Sequence, residues 1–96
     1  ESGAIQIKKD FFDLHQEIAT VQTVVSDRAK AKNLTLAVNI NLPKPYVVSG
    51  DRQKLGQILI NLLSNAIKFT FEGQINLDVL STTQGIEFIV TDTGMG

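Results

Sequence analysis

The sequence predicts an α+β fold, a two-layer α/β sandwich with helices packed on one face of a mixed sheet. Two long stretches repeat apolar residues every three or four positions, the period of an amphipathic helix. Shorter stretches alternate apolar with polar residues, the period of a strand with one buried face. The 96 residues suffice for one domain and not two, so these elements must share a core.

The expected order is strand, helix, strand, short strand, helix, strand, strand. Ile5 and Ile7 alternate with Gln6, Lys8 and Asp10, and Phe11 continues the apolar side, so a half-buried strand opens the chain. Asp13 then caps a first helix, and Gln16 three residues later completes a capping-box pattern. Leu14, Ile18, Val21, Val25 and Ala29 give this helix one apolar stripe and carry it to about Lys32. Asn33 ends it, because asparagine tolerates a left-handed backbone. Leu36, Val38 and Ile40 alternate with Thr35, Ala37 and Asn39 in a second strand, which Pro43 and Pro45 close since neither can donate to a ladder. Tyr46, Val47 and Val48 form a short extended piece. Gly50 turns the chain and Asp51 caps a second helix through about Phe69. Its expected core stripe is Leu55, Leu59, Leu62, Ala66 and Phe69, with Ile58 at the edge. Gly73 breaks the chain again. Ile75, Leu77 and Val79, then Ile86, Phe88 and Val90 after the polar turn "STTQG", read as an antiparallel hairpin.

Composition excludes several functions. A net charge of −1 argues against binding to duplex nucleic acid, which calls for a basic face. The absence of cysteine removes disulfides and thiolate metal sites. No basic leader followed by an apolar stretch opens the chain, and no run approaches the ~18 apolar residues of a membrane span.

The second helix carries polar residues that a plain core helix does not need. Asn61, Asn65 and Lys68 recur at i, i+4 and i+7, so they form a stripe of their own, expected beside the apolar one. Asparagine is a poor helix-interior residue, worse than alanine by up to ~0.7 kcal/mol. Solvation, or hydrogen bonds to buried backbone groups, would explain the two amides. So would the lining of a charged site: an amide oxygen suits a hard cation such as Mg²⁺, and an ammonium suits phosphate. The tail "DTGMG" offers a complement. The Asp92 carboxylate can accept from an exocyclic amine such as that of adenine, and Gly94 and Gly96 let a flat ring approach the main chain. A bland turn accounts for this tail equally well when it is taken alone.

Taken together, "NLLSNAIKFT" and, some twenty residues later, "DTGMG" resemble the N box and G1 box of the catalytic, ATP-binding domain of sensor histidine kinases. That domain belongs to a wider superfamily shared with DNA gyrase, Hsp90 and MutL. The run "GDRQKLGQIL" is similar to the family's approach to the N box, and the opening "ESG" resembles the end of its dimerisation helix. The resemblance implies a Bergerat-type ATP-binding fold, incomplete here. Residues 1–96 would be the N-terminal portion of that domain, with 1–4 as the end of a linker and 92–96 as the start of the ATP lid. A second glycine box, an F box and the closing strands and helix would follow Gly96. Their absence would leave the core side of the sheet under-covered and favour association with another copy.

The resemblance also implies roles and partners. Asn65 would coordinate Mg²⁺, Asn61 and Lys68 would face the phosphates of ATP, and Phe69 would pack near the adenine. Asp92 would bind the adenine amino group, while Gly94 and Gly96 would shape the pocket floor. The parent protein would transfer the γ-phosphoryl of Mg·ATP to a histidine on a separate dimerisation helix, for relay to a response regulator. It would work as a homodimer, with this domain in the cytoplasm and the parent anchored in the cell membrane. The sole histidine, His15, is followed by "QEI" and lacks the family's phosphoacceptor motif, so it is a helix residue and not the acceptor. Two alternatives stand beside this reading: a gyrase-, Hsp90- or MutL-type ATPase, with a related anti-sigma-type serine kinase, and a non-catalytic interaction module of the same fold. The ATPases carry a glutamate base one helical turn before the metal-binding asparagine. Asn61, a neutral amide without useful basicity, holds that place here and points to phosphoryl transfer.

Overall fold

Asp13 decides where the first strand stops and the first helix starts. In the computed structural model, which describes residues 10–92, its Oδ1 accepts from the His15 N–H at 3.1 Å and from the Tyr46 N–H at 3.1 Å. One carboxylate thus caps α1 (Leu14–Ala31) and fastens the approach to β3 (Val47–Gly50). The second partner of the carboxylate is the distant Tyr46 N–H, and the expected return bond from the Asp13 N–H to the Gln16 side chain does not form among the described residues.

The opening strand corrects the expected phase. Ile5 and Ile7 lie outside the described residues. In β1 (Asp10–Asp13), Phe12 is buried while Phe11 is 82% exposed. The antiparallel partner β3 sets this phase: Phe12 stands opposite Val48, and both turn toward the core.

Both helices are 18 residues long. All five residues of the α1 stripe, from Leu14 to Ala29, are buried, as expected. Its C-terminus closes on Asn33 at φ 59, with Asn33 N–H donating to the Lys30 carbonyl and Leu34 N–H to that of Ala29. This is a Schellman arrangement, and buried Leu34 supplies its apolar contact. Helix α2 (Arg52–Phe69) begins where Asp51 Oδ1 accepts from the Lys54 N–H at 3.0 Å.

The core face of α2 differs from the expected one. Gly56, Leu59, Leu63 and Ile67 are buried, whereas Leu62, Ile58 and Phe69 are exposed; Leu55 and Ala66 lie half-buried at the margin. The helix turns Leu59, Leu63 and Ile67 into the shared core, and Gly56, on the same side, lies beside the flexible Glu17 side chain of α1, whose carboxylate a Cβ there would meet at 2.5 Å.

The mixed sheet runs β2–β4–β5, with β2 (Thr35–Asn41) parallel to β4 (Gln74–Thr82) and β4 antiparallel to β5 (Gly85–Asp92). The hairpin forms as expected, and Gly85, at φ +133, closes its turn where a side chain would be strained. Leu36, Val38 and Ile40 pair across the sheet with Ile75, Leu77 and Val79, and these face the helices. Each of the three β4 residues is fully buried, worth about 1.5–3 kcal/mol apiece. The neighbouring Ile86, Phe88 and Val90 of β5 are only half-buried, so helix cover thins toward that edge. Among the described residues no helix is long and apolar enough to cross a membrane.

Candidate functional site

The rotation of α2 fixes where its polar stripe points. Asn61, Asn65 and Lys68 are all exposed, and on the helix wheel they lie opposite Gly56, Leu59, Leu63 and Ile67, not beside the core stripe as expected. Neither asparagine side chain has a hydrogen-bond partner among the described residues. The explanation through buried backbone groups therefore fails: both amides present free donors and acceptors outward.

Their surroundings are unusually apolar for an outward face. Ile58 and Leu62 are 49% and 45% exposed, and Phe69 is 65% exposed, all on the same side as Asn65. Phe69 is thus removed from the core and free to meet a flat ring. The Lys68 ammonium lies 5.5 Å from its ring centroid, within cation–π range.

Asp92 reaches the same end of the molecule by strand register. It pairs with Ile75, the second residue of β4, which places it on the helix-facing side of β5 in line with Ile86, Phe88 and Val90. Only residues 70–73 separate the end of α2 from the start of β4. The last turns of α2 and the Asp92 carboxylate therefore flank the same end of the sheet, and Asp92 is exposed there. Gly94 and Gly96 lie outside the described residues, as does the remainder of the expected lid.

Three supporting residues were not legible beforehand. Lys32, just past α1, donates from Nζ to the Ile67 carbonyl at 2.7 Å and to the Lys68 carbonyl at 3.0 Å. These are among the α2 carbonyls that no further helical turn can satisfy. Arg28, one turn earlier, donates to the Ser64 hydroxyl. Thr70, at the exit of α2, is the only buried polar residue among those described. A lysine near a helix end signals capping of its own helix, and nothing local shows that it reaches another helix 35 residues away.

No three His, Asp or Glu side chains gather to hold a metal ion among the described residues. The Asn65 amide oxygen is a hard, exposed, unpartnered donor. It fits a cation that brings its other ligands with it, such as Mg²⁺ already carried by phosphates.

Fold and site define a class. Residues 50–96, which include α2, the hairpin and the tail, match the family described as histidine kinase-, DNA gyrase B- and HSP90-like ATPase. Residues 50–96 are similar to this family, and the whole chain has relatives by sequence and by fold that are sensor histidine kinases. Signal transduction histidine-protein kinase BarA of Escherichia coli K12 is 38% identical over 101 residues, covering 100% of this chain and 11% of BarA. The full-length ShkA structure in complex with AMPPNP superposes with a TM-score of 0.81 at 32% identity, over 96% of this chain and 20% of that one. Histidine kinase ThkA in complex with the response regulator TrrA gives a TM-score of 0.80 at 25% identity, over 92% of this chain and 26% of that one. The chain spans less than a third of the length of each of these relatives.

Proposed function

We propose that this chain is the nucleotide-binding part of a two-component sensor histidine kinase whose parent transfers the γ-phosphoryl of Mg·ATP to a histidine on a separate dimerisation helix. The observation that carries the proposal is the outward, unpartnered Asn61–Asn65–Lys68 stripe at the end of the sheet where Asp92 also lies. Asn61 and Lys68 face the phosphates, Phe69 packs on the adenine, and Asp92 accepts from its amino group. Gly94 and Gly96 shape the floor, and residues 92–96 open the lid. Asn65 would hold Mg²⁺, which would supply charge neutralisation at the phosphates. In the transfer, a ring nitrogen of the acceptor histidine attacks the γ-phosphorus, and ADP departs with the bridging oxygen. A response regulator aspartate then receives the group. The complex of ThkA with TrrA and the AMPPNP complex of ShkA support this reading. The domain works in the cytoplasm of a dimeric, membrane-anchored parent.

The test is labelling of the full-length protein with ATP carrying a radioactive γ-phosphate. The expected result is an acid-labile phosphohistidine outside residues 1–96, retained in His15→Ala. Release of phosphate with no labelled histidine would favour the ATPase reading. That second reading rests on the superfamily alone and meets an obstacle at Asn61. Asn61→Glu restores a carboxylate at this place and is expected to raise the basal release of phosphate; unchanged release would remove the obstacle.

A further inference from the structure

We infer that Lys32 is a positioning residue of the nucleotide site, setting the last turn of α2 so that Lys68 meets the phosphates; this rests on the function proposed above. Lys32 leaves α1 and ends against α2. Its ammonium holds the Ile67 carbonyl at 2.7 Å and the Lys68 carbonyl at 3.0 Å, so it grips the backbone of the phosphate-facing residue itself. The same ammonium stands 5.7 Å from the Phe71 ring centroid, in the connector to β4. One cation therefore ties together the end of α1, the end of α2 and the segment leading to the strand that pairs with Asp92.

The need for such a tie follows from the helix end. The only backbone donor to Ile67 O at the cap is the Thr70 N–H at a long 3.4 Å, so without Lys32 the final turn is weakly closed. A positive charge there also opposes the negative end of the helix dipole. Arg28 on Ser64 and Lys32 on Ile67 and Lys68 contact α2 on both sides of Asn65 in sequence. The last turn of α1 and the residue that caps it thereby fix the rotation of α2 about its axis. That rotation decides whether Asn65 and Lys68 face outward together.

The experiment uses the full-length protein with five forms: wild type, Lys32→Met, Lys32→Arg, Lys68→Ala and Lys32→Met combined with Lys68→Ala. Affinities for Mg·AMPPNP and for adenosine are measured at a temperature where circular dichroism shows every form folded. Lys32→Met is expected to weaken Mg·AMPPNP binding roughly tenfold, the scale for a residue that acts through a ligand-contacting one. Adenosine binding stays unchanged, and Lys32→Arg restores most of the loss. Adding Lys32→Met to Lys68→Ala costs little more than Lys68→Ala alone, because Lys32 acts through Lys68. A merely structural lysine would lower the melting temperature and leave these ratios alone. Wild-type affinity in Lys32→Met, or losses that simply add in the double variant, would overturn the inference while leaving the nucleotide site intact. If Lys32→Met does not fold, Lys32→Gln takes its place with the same expected ratios. A wild-type protein that binds no nucleotide would overturn the functional proposal and this inference with it.

Discussion

The two helices are equal in length and cover the same sheet, yet they are built on different plans. Helix α1 has one buried stripe and an opposite face that is mostly polar. Helix α2 has a buried stripe of Gly56, Leu59, Leu63 and Ile67, and on its exposed side a second set in which Ile58, Leu62 and Phe69 flank Asn65. A helix that only supports the core needs one apolar face. A second one, bordered by unpartnered amides, fits the nucleotide-binding role proposed for α2, a role that the single stripe of α1 does not suggest.

Substitutions in the two faces of α2 sharpen that contrast. Leu63→Ala removes a fully buried side chain and is expected to cost about 2–5 kcal/mol in urea unfolding. A loss under 1 kcal/mol would mean that the helix is not rotated as described. The caps of the two helices come next. Asp13 serves two amides on separate elements, so Asp13→Ala should cost about 2 kcal/mol by the same measurement. Asp51 serves the Lys54 N–H alone, and Asp51→Ala should cost about 1 kcal/mol. Equal losses would show that tying β3 to α1 adds nothing. Smallest of all, Leu62→Ala should change stability by no more than about 0.5 kcal/mol, because nearly half of the side chain is already in water.

The contrast between the helices also explains what could be read from the sequence. In α1 the apolar residues admit one stripe, so its face, its ends and the Asn33 cap were legible. In α2 apolar residues span more than half of the helix wheel, and several stripes can be drawn through them. The phase was decided by tertiary packing, in which Arg28 reaches Ser64 and Lys32 reaches the Ile67 and Lys68 carbonyls, contacts between positions 35 or 36 apart in sequence. The polar stripe stood out regardless of phase, because two asparagines and a lysine at helical spacing stay neighbours however the helix is turned. For β1, the partner strand set the phase at Phe12, and alternation carried forward from Ile5 and Ile7 could not see that partner. Lys32 and Thr70 remained hidden, since their surroundings form only when α1, α2 and β4 meet.

The outward face of α2 is proposed to hold Mg·nucleotide through Asn65. Titration of AMPPNP onto full-length wild type and Asn65→Ala, with and without Mg²⁺, decides this. Wild type should bind more tightly when Mg²⁺ is present. Asn65→Ala should lose that dependence with a fall in affinity of roughly a hundredfold, while unfolding at the wild-type urea concentration. Equal, Mg²⁺-dependent binding by the two proteins would contradict the account.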